Sequence, residues 1–381
     1  MRSWDIFCTV IDNYGDIGVC WRLARQLAGE RAQRVRLWVD DLASFRRICP
    51  DIAQDVESQS IQGVEVRWWR EPFPVVRPSD IVVEAFACNP PASYVAAMVA
   101  RQPQPVWINL EFLSAENWVL GCHGLPSPHP SSTLVKYFFF PGFVPGTGGL
   151  LAERALTQAR EEFQRSASAQ ARFWNDLGVP APRAGELQVS LFCYPQAGVS
   201  ALLRAWAAGN EPVRCLVPEG TANAALTEFF GVENLAPGAA LRRGGVEVRI
   251  LHFLDQDRYD RLLWACDVNL VRGEDSFVRG QWALRPLLWN IYPQQEDAHS
   301  RKLQAFLALY CAGMQPEMAA AVTQLWQAWN TGDAVAIESA WPVFRRYRVE
   351  LEAHARLWSG RLAKTGDLAN NLAQFCENLL K

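Results

Sequence analysis

A chain of 381 residues with 50% apolar composition can pack two or three domains and leaves little room for long disorder. Its formal charge of −3 lacks the basic excess of a nucleic-acid binder, and no segment approaches the ~18 uninterrupted apolar residues of a membrane span. The ten cysteines are scattered without a Cys-x-x-Cys pair, which argues against a zinc or redox motif and for free thiols in a reducing cytoplasm. The apolar run near the start meets charge at Asp12 with no small-residue cleavage site, so no secretory signal is expected.

The first half alternates between two periodicities. "WDIFCTVI" (4–11) reads as a strand, and "DIGVCWRLARQLAGE" (16–30) as a helix with Ile17, Cys20, Trp21, Leu23, Ala24 and Leu27 at helical spacing. Strands follow at 34–40, 64–69, 80–86, 105–111 and 134–140, with helices at "DLASFRRIC" and 91–102. "PGFVPGTGGL" (141–150) is a loop by its Gly and Pro content, and 151–178 reads as one long helix. After a linker the alternation restarts, with strands at 187–194, 213–218, 246–253, 266–271 and 286–292. From 297 to 381 the pattern is almost wholly helical. The fold class is α/β: two doubly wound Rossmann-like domains, 1–178 and 186–350, with a helical tail at 351–381.

Open parallel sheets bind ligands beyond the carboxyl ends of their strands, so the exit loops carry the candidate chemistry. In "VIDNYGDIG" (10–18), Asp12 and Asp16 flank Asn13, Tyr14 and Gly15. Two carboxylates four residues apart suit a base and a positioner, and the plainer alternative is that Asp16 caps the following helix. Too few further ligands are present for a metal. In "VRGEDSFVRG" (271–280), five charges crowd the end of a strand, with Asp267 just upstream and Arg272, Glu274, Asp275 and Arg279 within it. Asp275 or Ser276 reads as the cap of a helix whose first amides suit a phosphate oxygen. Arg272 adds a cation, Gly273 permits close approach, and Glu274 suits a sugar hydroxyl. The alternative is a solvated loop. In "LHFLDQDRYD", Phe253 and Leu254 sit at a turn before a helix starting near Asp255 or Gln256. Phe253 reads either as core or as a platform for a base. "FCYPQ" places Tyr194 at the same edge. His123 and His129 read as structural, His252 as a satisfied core residue, and His299 as a helix cap or a pocket residue.

The runs "DNYGDIGVCWRLARQL", "FCY", "HFLDQDRYDRLLWACDVNLVRGEDSFVRGQW" and "WNIYPQ" closely resemble the EarP family of protein-arginine rhamnosyltransferases, over essentially the whole chain. The resemblance implies a GT-B fold with two facing Rossmann-like domains. It implies an inverting glycosyltransferase that moves L-rhamnose from dTDP-β-L-rhamnose to one arginine in the N-terminal domain of elongation factor P, activating it. No metal or cofactor, nucleic acid or membrane is implied. The resemblance places catalysis on Asp12, Asp16 and Glu274. Donor contacts fall on Tyr194, Phe253, Gln256, Arg272, Asp275, Ser276 and Tyr292, with Asn13, Tyr14, Gly15, Leu254, Gly273 and Glu274 around them. Rival readings are a nucleotide-sugar epimerase of the same fold and a non-catalytic module that binds elongation factor P. A nicotinamide dehydrogenase is disfavoured, because no Gly-x-Gly-x-x-Gly follows the first strand.

Overall fold

A computed structural model describes residues 1–294 and 298–380. The chain divides into two units, Met1–Arg154 with Arg361–Lys381, and Ala155–Gly360. This division differs from the sequence-based one at both ends: residues 155–178 belong with the second unit, and the end of the chain belongs with the first.

Unit 1 begins β1 (Ser3–Cys8), α1 (Gly15–Arg31), β2 (Arg34–Val39), α2 (Leu42–Ile48), β3 (Ser58–Ile61) and β4 (Val64–Trp68). It continues β5 (Ile81–Ala85), α3 (Ala92–Ala100), β6 (Val106–Leu110), α4 (Trp118–Cys122), β7 (Pro126–Pro128) and β8 (Val135–Phe139). The sheet runs β3-β4-β2-β1-β5-β6-β8-β7, parallel except at its edges β3 and β7. Every residue of β5 and β6 is buried, as in strands covered on both faces, and all but Glu84 and Asn109 are apolar. The predicted strands therefore recur here with frayed ends trimmed. The edge strands β3 and β7 carry no apolar run and were not anticipated.

Unit 2 contains α5 (Leu156–Arg165), α6 (Ala167–Asp176), β9 (Leu187–Leu191), α7 (Val199–Ala208), β10 (Val213–Pro218), α8 (Asn223–Phe230), β11 (Ala240–Arg243) and β12 (Val246–Leu251). Then come α9 (Gln256–Ala265), β13 (Val268–Arg272), α10 (Asp275–Trp282), β14 (Leu287–Asn290), α11 (Ala298–Tyr310), α12 (Pro316–Thr331), α13 (Ala334–Arg346) and α14 (Arg348–Leu362), whose last residues, Arg361 and Leu362, belong to unit 1. Its sheet runs β11-β12-β10-β9-β13-β14. The predicted long helix at 151–178 is two helices. Ser166 is extended at the break, and its side chain accepts the Ala169 amide at 3.1 Å as the cap of α6.

The chain then returns to unit 1 as α15 (Leu368–Leu379), which packs on α1. Asp367 accepts the Asn370 amide as its cap and also the Ala152 amide at 3.1 Å, pinning the returning segment. Of the tail predicted helical from 297 to 381, Asp297 and Lys381 lie outside the described residues.

In both sheets the first strand of the unit is central. From β1 the chain moves to β2 on one side and later to β5 on the other; from β9 it moves to β10 and later to β13. These are topological switch points, where exit loops diverge and open a crevice. The loops after β1, β9 and β13 are therefore where each unit offers room for a ligand.

Candidate active site

In unit 1, residues 9–14 connect β1 to α1. Asn13 has a φ of 42°, and the Gly15 amide donates to the Asp12 carbonyl at 2.7 Å, so the turn is tight. A Cβ on Gly15 would stand 2.7 Å from Asp12 Oδ2, so only glycine leaves that carboxylate in place. Asp12 is half-buried and Asn13 exposed, whereas Asp16 is the deeply placed acid, only 6% exposed. Its Oδ2 accepts the amides of Ile11 and Asp12, each at 2.8 Å. Burial raises the Asp16 pKa against the pull of those two amides, and the Asp12 charge adds to the rise. The simple helix-cap reading is thus corrected. Tyr14 occupies the cap position without a side-chain bond, and Asp16 reaches back to the loop, not forward to the helix.

In unit 2, the exit of β9 wraps the guanidinium that closes β13. Arg272 closes β13; its Cζ lies 4.1 Å from the Phe192 ring centroid and 4.8 Å from that of Tyr194, and Nη1 donates to the Cys193 carbonyl at 3.2 Å. Planar stacking and a directed hydrogen bond hold the cation in one orientation, which lysine would not reproduce. The Tyr194 amide donates to Asn290 Oδ1 at 2.8 Å, and the Tyr292 ring meets Tyr194 edge-on at 5.5 Å. Gly273 takes a φ of 58°, and its carbonyl accepts from Trp289 Nε1 at 2.7 Å. Gln256 Nε2 donates to Asp275 Oδ2 at 3.1 Å, tying the start of α9 to the start of α10. Leu254 is buried and Phe253 is half-buried, its ring 6.5 Å from that of Phe192.

Three expectations change. The helix cap is Glu274, without a side-chain cap bond. Ser276 instead bonds back to Arg272: its Oγ accepts the Arg272 amide at 3.0 Å and donates to the Arg272 carbonyl. Arg279 does not join the site. It is buried and paired with Asp260 through Nε at 3.0 Å and Nη2 at 2.6 Å. Asp267 sits before β13, where it accepts the Gln188 amide at 2.8 Å. As expected, Asp255 caps α9, accepting the Arg258 amide at 2.8 Å.

The structure therefore gathers Asp12, Asn13, Tyr14, Gly15 and Asp16 in unit 1. In unit 2 it gathers Tyr194, Phe253, Leu254, Gln256, Arg272, Gly273, Glu274, Asp275, Ser276 and Tyr292. Phe192 was missed; the aromatic pair flanking Cys193 in "FCY" was the signal for it. Of the histidines, His123 Nδ1 accepts the Phe140 amide at 3.0 Å, and burial lowers its pKa. The His129 ring lies 5.8 Å from the Trp107 ring, and His299 Nδ1 is 3.3 Å from the Gln294 nitrogen. His252 is exposed just beyond β12, not in the core, because the strand ends at Leu251. A cavity of about 580 Å³ lies at the amino ends of β1 and β2, lined by Arg34, Arg36, Arg77 and Asp80 among others; none of the candidate residues lines it. Among the described residues, no group of three or more His, Cys, Asp or Glu side chains is arranged to hold a metal ion.

Two Rossmann-like units, one with paired carboxylates at its switch point and one with an aromatic-clamped arginine, make this a GT-B glycosyltransferase. More narrowly, the chain belongs to the EarP family: the model described as Elongation-Factor P (EF-P) rhamnosyltransferase EarP matches residues 4–377. It is 50% identical over 378 residues to a protein-arginine rhamnosyltransferase of Pseudomonas putida, with 99% of each chain covered. To the enzyme of the same name from Pseudomonas aeruginosa it is 48% identical, with 98% and 99% covered. A solved structure giving the structural basis for EarP-mediated arginine glycosylation of translation elongation factor EF-P is 38% identical. It covers 99% of both chains with a TM-score of 0.72. A Rickettsia africae glycosyltransferase shares the fold alone, at 8% identity and a TM-score of 0.53, with 100% and 99% covered.

Proposed function

We propose that the chain moves L-rhamnose from dTDP-β-L-rhamnose to a single arginine in the N-terminal domain of EF-P, inverting the anomeric carbon. We place the reaction in the cytoplasm, with no metal or diffusible cofactor. The observation that carries this reading is the division of chemistry between two exit loops. One holds acceptor-type carboxylates, Asp12 and Asp16; the other holds a fixed cation, Arg272, among aromatic rings. The names of the relatives and of the solved structure support the substrate pair in its coarser form.

The acceptor is chemically awkward. A guanidinium has a pKa above ~12 and its lone pairs are delocalised, so no carboxylate removes its proton beforehand. The proton leaves as the bond forms: an arginine nitrogen attacks the anomeric carbon, the bond to the diphosphate oxygen breaks, and Asp16 takes the nitrogen's proton. Its raised pKa makes it a better base than an exposed aspartate. Asp12 anchors the cation, and a carboxylate–guanidinium pair at 4 Å contributes ~4 kcal/mol at an effective dielectric of 20. Arg272 and the amides opening α10 take up charge on the departing dTDP. Phe253 faces the base, Tyr194, Gln256 and Tyr292 complete the nucleotide's surroundings, and Glu274 accepts from a sugar hydroxyl. Incubating EF-P with dTDP-rhamnose and enzyme in excess EDTA should add one deoxyhexose to one arginine, read by mass spectrometry. EF-P left unmodified both in EDTA and after magnesium is restored would refute the activity, and modification only after magnesium is restored would refute metal independence.

A further inference from the structure

An apolar band runs along the carboxyl edge of the unit 1 sheet. Trp118 and Leu120 on α4 are 52% and 47% exposed, and Leu125 beside them is 49% exposed. The Trp118 ring meets Phe140 edge-on at 5.4 Å, and Phe140 is the residue that follows β8. Phe140 lies 6.4 Å from Phe138, whose amide donates to the Leu125 carbonyl at 3.1 Å. Nearer to β1, Phe86 and Phe112 stack at 4.8 Å at the exits of β5 and β6. In the loop that follows β5, Phe86, Ala87 and Asn89 take positive φ values of 56°, 54° and 51°. Such backbone is costly for non-glycine residues and concentrates where a surface is shaped for a ligand.

Distance selects the occupant. Neighbouring strands lie ~4.8 Å apart, so in the order β1-β5-β6-β8 these exits stand about 5, 10 and 14 Å from the strand that ends in the Asp12 loop. A standard protein–protein footprint of ~800 Å² per partner is a disc of ~16 Å radius. A small molecule at Asp12 would not reach Trp118, whereas a folded protein presenting an arginine there would cover it. An exposed tryptophan seated on another ring is also the residue type that most often carries interface energy.

We propose that Trp118, Leu120 and Leu125 form the surface on which the folded acceptor domain of EF-P docks, while its arginine reaches Asp12. This rests on the activity proposed above. The test compares wild type with Trp118→Ala and, separately, Leu125→Glu, which leaves the Trp118–Phe140 contact intact. Each is assayed with whole EF-P and with a short peptide carrying the acceptor arginine. In both variants KM for EF-P should rise about ten-fold or more with kcat at saturation kept, while KM for the peptide stays at the wild-type value. An EF-P KM within two-fold of wild type in both variants overturns the docking surface and leaves the activity standing. A fall in kcat with KM unchanged also overturns it, since the effect would then act through the β1 loop. Failure of wild type to modify EF-P would instead sink the activity reading, and the surface with it.

Discussion

At position 16, charge and shape are separable by one substitution. Oδ2 of Asp16 accepts both loop amides, so the Asp16→Asn side chain keeps an oxygen for them while losing the charge and the base. Asp16→Asn is therefore expected to fold, to bind donor as before, and to turn over ~10²–10⁴-fold more slowly; Asp12→Asn should raise KM for EF-P as well as lower kcat. Steady-state kinetics on both variants decide it, and near-normal kcat in Asp16→Asn would leave Asp16 as a loop clamp only. The same residue predicts a pH effect. Its folded pKa is raised, so the folded state holds the proton more tightly than the unfolded chain does. The stability this adds is full below the unfolded value of ~3.9 and is lost as pH rises through the folded value. Relative to Asp16→Asn, wild type should melt at progressively lower temperature across that rise; parallel melting curves would discard burial as the cause. In unit 2, Arg272→Ala should weaken dTDP-rhamnose binding about 10- to 100-fold by calorimetry, the worth of a charged hydrogen bond. Arg272→Lys should recover only part, because an ammonium cannot stack on Phe192 and Tyr194 as a guanidinium does. Unchanged affinity in a folded Arg272→Ala variant would move the donor elsewhere. The two loops were legible in the sequence because carboxylates and Arg-Gly-Glu-Asp-Ser follow apolar strands. The back-bonds of Asp16 and Ser276 were not, since each depends on a turn whose dihedral angles no single residue announces.

At the scale of elements, α9 and α10 hold the donor loops through a pair the sequence did not disclose. Asp260 and Arg279 are both buried and joined by two hydrogen bonds, and Gln256 and Asp275 join the same helices nearer their starts. Replacing a buried pair by apolar residues of matching volume is often neutral, but removing one partner strands the other charge. Asp260→Ala is expected to cost about 3–5 kcal/mol in urea denaturation, and to weaken donor binding as the start of α10 shifts. A loss below ~1 kcal/mol, the range of a surface pair, would mean Arg279 finds water instead. The contrast explains which parts of the fold were readable. Central parallel strands such as β5 and β6 are buried throughout and almost wholly apolar, so composition alone locates them. The pairing edges β3, β7 and β11 are short, mostly exposed and antiparallel, and nothing in their side chains distinguishes them from loop. The break between α5 and α6 lies at a serine inside a continuous helical period, where only the cap geometry reveals it. Asp5, fully buried within β1, accepts from Arg36 and from Trp38 Nε1 at 3.1 Å; a lone acid inside "WDIFC" was the visible trace of that network.

At the scale of the molecule, the two units differ in how the chain builds them. Unit 2 is one continuous stretch, Ala155–Gly360, whereas unit 1 is completed by residues that follow it. Leu368, Leu372 and Cys376 of α15 are buried, and the Phe375 ring lies 5.5 Å from that of Phe139. Unit 1 thus lacks part of its core until the end of the chain arrives, and Leu372→Ala falls among core truncations that cost ~2–5 kcal/mol. The sequence-based boundaries missed this because a terminal amphipathic helix looks the same whether it extends one unit or closes another. The asymmetry yields the last prediction. The proposed nucleotide contacts Tyr194, Phe253, Gln256, Arg272 and Tyr292 all lie within 155–360, and so do the strands that hold them. A fragment of 155–360 should therefore fold cooperatively by circular dichroism and bind dTDP in calorimetry with a Kd within about ten-fold of the whole chain, a difference of ~1.4 kcal/mol. The complementary piece, 1–154 without α15, should not fold alone. If the 155–360 fragment folds but does not bind dTDP, the nucleotide draws essential contacts from unit 1, and the assignment of donor recognition to the β9 and β13 exits is wrong.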